Sequence, residues 1–136
     1  MRIALVTFIE SDDARSSAIV SRLASVASAK GNVVERLSGA SDSSLARLAM
    51  FDYVALVYRP LGVFSSAIPA SVSEYLAKSG PLTGKKGCAI VVKSGLSSAR
   101  VCRSLMHAME AEGLCVDYFE IVRDVAHADS VGLMIG

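Results

Sequence analysis

Ile3-Ala4-Leu5-Val6 runs through Thr7-Phe8-Ile9-Glu10 into Ser11-Asp12-Asp13-Ala14-Arg15-Ser16, and then into an Ala/Ser-rich stretch that stops at Gly31. An apolar run that crosses a short polar loop into a segment of helical period is the opening of a strand–loop–helix unit. In an open α/β sheet that loop lies at the carboxyl end of the strand, where a phosphate sits on a helix N-terminus. Here the loop carries Asp12 and Asp13, with Glu10 just before them. The fold invites a phosphate and the local charge opposes it.

Outward from this unit, strand and helix signals alternate to the end of the chain, with no internal repeat or low-complexity tract. Ile3 to Phe8 reads as the first strand and Ser17 to Lys30 as the first helix, with Ile19, Leu23, Val26 and Ala27 on one face. Asn32 to Leu37 makes a short second strand. Ser41-Asp42-Ser43 offers N-caps to a short helix carrying Leu45, Leu48 and Ala49. Tyr53-Val54-Ala55-Leu56-Val57-Tyr58 is continuously apolar, as a central parallel strand is. Pro69 fits the first turn of a helix bearing Val72, Tyr75 and Leu76, which ends at Gly80-Pro81. Lys86 to Val92 is another buried-type strand. Ser97 and Ser98 cap a helix whose Val101, Leu105 and Met109 share a face, closed by Gly113. Cys115 to Val122 alternates polar and apolar residues, as an edge strand does.

Five strands with helical crossovers make a doubly wound parallel sheet, because such crossovers are right-handed. The expected strand order is 2-1-3-4-5, in a three-layer α/β/α sandwich formed by one domain over residues 1–136. The end of the chain is the weak point. After the last strand only Arg123 to Gly136 remains, and Gly132 and Gly136 interrupt its apolar residues. The closing C-terminal helix is therefore expected to be short or missing.

Composition narrows the function classes. Apolar residues make up 52% and charged residues 20%, which excludes a disordered chain. A mean hydropathy of +0.47 points to strands buried on both faces and to an oligomer interface. The net charge is +1, with no dense Lys/Arg stripe, so neither nucleic acid nor an anionic membrane is an expected partner. No apolar run approaches the ~20 residues of a membrane helix, and no signal-like segment opens the chain. Cys88, Cys102 and Cys115 are widely spaced and lack a Cys-x-x-Cys or His partner. They read as buried, reduced thiols of a cytoplasmic protein.

The order of elements resembles flavodoxin, the small FMN-binding electron carrier. Three stretches carry the likeness, and with the elements between them they cover nearly the whole chain. One is the opening strand–loop–helix. Another runs from Phe51-Asp52-Tyr53-Val54-Ala55-Leu56-Val57 through Pro60, Gly62, Phe64 and Pro69 to Glu74-Tyr75-Leu76. The last is Gly84-Lys85-Lys86-Gly87-Cys88-Ala89-Ile90-Val91-Val92 with Ser94-Gly95 behind it. The resemblance implies FMN as cofactor, its phosphate in the first loop. In the family that loop is Ser/Thr-rich around a glycine, and its hydroxyls and amides donate to the phosphate. Ser11 and Ser16 match the outer hydroxyl positions, whereas Asp12, Asp13, Ala14 and Arg15 replace the centre. Phe64 falls where a family aromatic stacks on the flavin ring. Ser94 and Gly95 fall in the loop after the fourth strand, Lys93-Ser94-Gly95-Leu96-Ser97-Ser98, whose Gly and hydroxyls near a helix start suit an anion or simply a turn and an N-cap. The cofactor-binding candidates are thus Ser11, Asp12, Asp13, Arg15, Ser16, Phe64, Ser94 and Gly95.

Charge bears on the cofactor. Unit like charges ~6 Å apart repel by about 3 kcal/mol at an effective dielectric constant of 20. A helix N-terminus returns only about 0.3–2 kcal/mol. Arg15 offsets one charge, and Arg59, at the end of the third strand, is placed to pair with Asp12 or Asp13. The aspartates also have a purely structural reading as helix caps, and with Glu10 they are candidate magnesium ligands. A response-regulator receiver shares the topology and the early acidic pair. However, Val57-Tyr58-Arg59 stands where its phosphoacceptor carboxylate belongs, and Ile121-Val122-Arg123 lacks its lysine. No nucleophile–base pattern involves His107 or His127, so no catalytic site and no metal site is assigned.

The expected function is that of a flavodoxin-like protein with a degenerate FMN site, acting through protein contacts or an altered ligand. The alternative is an FMN electron-transfer protein with an atypical phosphate loop. A missing closing helix would leave Val54, Leu56, Cys88, Ile90 or their neighbours uncovered, a patch for a second copy of the chain or another protein.

Overall fold

Every residue of the third strand, Tyr53–Tyr58 (β3), is buried, which places it at the centre of a sheet packed on both sides. The structure, a computed structural model, describes residues 1–39, 48–60 and 68–136. Its other elements are β1 (Arg2–Phe8), α1 (Ala14–Ala29), β2 (Val33–Ser38), a 3₁₀ turn (Leu48–Met50), α2 (Ala70–Lys78), β4 (Lys86–Val92), α3 (Ser98–Ala111), β5 (Cys115–Val122) and α4 (Val125–Gly132). The strands form one parallel sheet in the order β2-β1-β3-β4-β5. The helix expected over Ser41–Ala49 lies outside the described residues up to position 47, and Leu48–Met50 is a 3₁₀ turn.

The pleat sorts each strand between two cores. Ile3, Leu5, Tyr53, Ala55, Val57, Cys88 and Ile90 pack with α1 and α4. Ala4, Val6, Val54, Leu56, Ala89 and Val91 pack on the opposite face with α2 and α3. This side-to-side alternation explains the apolar runs, since a strand covered on both faces has no polar phase. At Gly87 in β4, a Cβ would run into the backbone oxygen of Val54. The β4–β5 register shifts at this point.

The chain closes its own last face. Asp124 caps α4 by accepting from the His127 N–H at 2.7 Å, and eight residues follow in helix. Gly132, counted above as a helix breaker, is what lets α4 dock. A Cβ there would lie 2.7 Å from Val26 Cβ, so the missing side chain permits close approach to α1. Lys30 Nζ then donates to the carbonyl of Leu133 at 2.6 Å and to that of Ile135 at 3.3 Å, and Ile135 is buried. Val54, Leu56, Cys88 and Ile90 are all 0% exposed. The patch expected on strands three to five is thus covered within the chain, Cys88 and Ile90 by α1 and α4 and Val54 and Leu56 on the opposite face by α2 and α3.

The thiols differ from expectation in one respect. Cys88 and Cys102 are buried, but Cys115, at the start of the edge strand, is exposed. Burial pushes the Cys88 thiol up to about 12, with the Tyr53 hydroxyl opposing and the Asp117 charge reinforcing the shift. The Tyr53 hydroxyl donates to Asp117 Oδ1 at 2.6 Å. Burial also raises the Tyr53 pKa, reinforced by Cys88 and Asp117, so the phenol stays protonated. No described helix is long and apolar enough to cross a membrane.

Candidate functional site

The order β2-β1-β3-β4-β5 reverses direction between β1 and β3, so a crevice is expected at the carboxyl ends of those two strands. The loop after β1 reaches it first. Asp13 N–H bonds to Glu10 O at 3.1 Å, which turns the chain and starts α1 at Ala14, three positions earlier than the apolar period indicates. Asp13 is the N-cap. Its Oδ1 accepts from the Ser16 amide at 3.1 Å, and its Oδ2 accepts from the Ser16 hydroxyl at 2.5 Å. Its own carbonyl accepts from Ser17 N–H at 3.0 Å. The carboxylate thus occupies the hydroxyl and amide that the family resemblance would give to a phosphate.

The same carboxylate holds Arg59. Arg59 follows β3, and its backbone N–H bonds to Phe8 O at 3.3 Å across the β1–β3 boundary. Its Nη1 donates to Asp13 Oδ2, an ion pair in which the aspartate side chain is only 8% exposed and the arginine 34%. Burial acts to raise the Asp13 pKa. The Ser16 hydroxyl and amide, with Arg59, outweigh it and hold the carboxyl below its ordinary value. Among the described residues, Arg59 Nε is buried without a hydrogen-bond partner. The pair bridges the crevice with charges supplied by the chain itself.

The other predicted residues scatter. Ser11 and Asp12 are exposed in the turn, and Ser16 is buried beneath Asp13. Arg15 does not offset the aspartates. Its Nη1 donates to the carbonyl of Lys93 at 3.1 Å and its Nη2 to that of Arg123, so it ties α1 to the ends of β4 and β5. Phe64 lies outside the described residues. Ser94 is held by Ser98, whose hydroxyl accepts from Ser94 N–H and donates to Ser94 O, both at 3.3 Å. Gly95 turns the loop at φ +69°. Glu10, Asp12 and Asp13 do not gather as magnesium ligands, and no group of three metal-ligating side chains occurs among the described residues.

Gly95 borders a feature of which the sequence reading reaches only the Lys93–Ser98 loop. An open groove of about 630 Å³ runs between the loop after β4, the end of β5 and α4. Lys93, Arg123 and His127 line it together with Glu120 and the apolar side chains of Leu96 and Ile121.

The amides of Asp13, Ser16 and Ser17 are bonded within the chain. No protein-family model matches the sequence, and no curated protein does. Solved structures do match. Oxidised flavodoxin 1 from Bacillus cereus superposes with a TM-score of 0.73 at 15% identity, over 97% of this chain and 95% of that one. Two-electron reduced flavodoxin from Megasphaera elsdenii gives 0.72 at 18%, over 96% of each chain. A flavodoxin from the domain Archaea gives 0.69 at 16%, over 99% and 96%. The fold is flavodoxin-like, and identities this low speak to the fold alone.

Proposed function

We propose that this chain is a flavodoxin-like protein with a degenerate FMN site, acting through protein contacts or an altered ligand. One observation carries this reading: the Asp13 carboxylate, paired with Arg59, takes the hydrogen bonds a phosphate would need. A dianionic phosphate entering beside it would meet about 3 kcal/mol of repulsion per unit charge at ~6 Å and an effective dielectric constant of 20. The helix N-terminus offsets about 0.3–2 kcal/mol of that. Arg59 cannot serve both anions at full strength.

A second reading, an FMN electron-transfer protein with an atypical loop, is favoured by Arg59 Nε, a buried donor with no hydrogen-bond partner among the described residues. Incubation with excess FMN, followed by desalting and a visible spectrum, separates the two. A colourless protein is expected. Retention of one flavin per chain would establish the second reading in place of the first. A protein partner, a second copy of the chain included, belongs to the favoured reading and would use a surface other than the face closed by α4. Light scattering of the purified chain tests the homodimer, and a strictly monomeric mass removes it.

A further inference from the structure

The groove between β4 and β5 lies two strands from the crevice, and it is built on the opposite electrostatic plan. Val92 pairs with Val122, and Lys93 N–H bonds to Val122 O at 2.9 Å, so Lys93 and Arg123 leave their strands side by side. Arg15 takes both of their carbonyls. Two acceptors at the strand ends are thereby occupied, while the Lys93 and Arg123 side chains line the groove with no ion pair among the described residues.

The nearby acids are already bonded. Glu120 Oε1 accepts from Ile121 N–H at 2.8 Å, and Asp124 accepts from His127 N–H. His127 Nδ1 accepts from Arg123 N–H at 3.2 Å, which assigns the ring proton to Nε2 and makes that nitrogen a donor. Ser98 and Ala99, the first residues of α3, bring the positive end of that helix to the same wall. Two lysine and arginine charges, an imidazole donor and a helix terminus against one lining carboxylate leave the groove positive.

Part of the lining is apolar. Leu96 is 84% exposed at the mouth, with Ala99 and Ile121 beside it. A volume of about 630 Å³ lies within the range of roughly 300–1,000 Å³ typical of small-molecule sites.

We propose that the β4–β5 groove binds a small organic phosphate monoester, with its apolar body on Leu96 and Ile121 and its phosphate between Lys93, Arg123 and His127. The proposal goes beyond the reading of the first loop and does not depend on it. An inorganic phosphate would leave the apolar lining unused, and a neutral ligand would leave the cations unmatched.

The test is a titration of the whole chain with phenyl phosphate, followed by amide chemical shifts. Saturable shifts are expected at residues 93–99 and 120–127. Lys93→Gln and Arg123→Gln should each weaken binding about tenfold, the effect of losing one charge-assisted hydrogen bond. Asp13→Thr should leave the affinity unchanged, and inorganic phosphate should bind about tenfold more weakly than phenyl phosphate. Both basic side chains are on the surface, so the variants will fold, and their amide spectra will show it. The proposal is overturned by an absence of saturable shifts up to about 10 mM ligand, equivalent to less than about 3 kcal/mol of binding. It is equally overturned by shifts centred on residues 11–16, by wild-type affinity in the Lys93→Gln/Arg123→Gln double variant, or by inorganic phosphate binding as tightly.

Discussion

The crevice between β1 and β3 and the groove between β4 and β5 sit on the same edge of the same sheet, yet they treat charge in opposite ways. In the crevice an acid from the first loop meets an arginine from the third strand, and the chain answers its own helix N-terminus. In the groove an arginine from the first helix answers backbone carbonyls instead, and the neighbouring cations are left facing solvent. Asp13 and Arg15, two positions apart, thus close one place and open the other. The anion preference of a doubly wound sheet can be satisfied internally at its usual position and still be presented elsewhere on the same edge.

The largest expected break in this contrast comes from Asp13→Ala. It removes the α1 cap, at about 0.5–2 kcal/mol, and leaves the half-buried Arg59 without its counter-ion. Urea denaturation should show a loss of about 2–3 kcal/mol, and a loss below the size of a cap would mean that the pair contributes nothing.

Next is Arg15→Gln, which should cost about 1 kcal/mol because an exposed arginine loses bonds to two carbonyls. Its signature is local. Amide exchange should speed up at residues 93–98 while the crevice residues stay protected, and a change spread evenly over the sheet would contradict the separation of the two sites.

A pH series sharpens the comparison further. The Asp13 carboxyl is held below its ordinary value in the folded chain, so its contribution is complete above the unfolded pKa of about 4 and is lost as pH falls through the folded value. Asp13→Asn should flatten that part of the acid limb below about pH 4. An unaltered acid limb in the variant would show that the carboxylate is not held as the structure places it. The smallest effect is expected from Arg22→Gln. Arg22 pairs with Asp129 across α1 and α4, but both side chains are half exposed, and the urea midpoint should not move.

Much of the sheet was legible in the sequence because its strands are buried on both faces. The apolar runs of β3 and β4 and the alternation of β5 end where the structure ends them. The helix ends were harder. Ala14 and Arg15 carry no apolar period, and only the bonds from Ser16 to Asp13 reveal that α1 starts there. The closing helix is short, as expected, and Gly132, which looks like a breaker in one dimension, is a packing contact with Val26 in three.

The site divided in the same way. Asp13 and Ser16, three positions apart, could be paired by local rules alone. From sequence Arg59 suits Asp12 and Asp13 alike, because only the β1–β3 register brings residues 46 positions apart together. Of the groove only the Lys93–Ser98 loop was legible, since Arg123 and His127 come from a strand end and a segment read as tail. Pairs of acceptors and donors at helical spacing can be read from sequence, whereas convergence at a sheet edge requires the register.

The most direct test compares FMN affinity of the natural chain with that of an Asp12→Thr/Asp13→Thr variant, by quenching of flavin fluorescence. Threonine keeps a capping hydroxyl and removes the negative charge. The account predicts no saturable quenching by the natural chain up to about 100 μM, and a gain of at least tenfold in the variant. Tight one-to-one binding by the natural chain, unchanged when both acids are replaced, would contradict it.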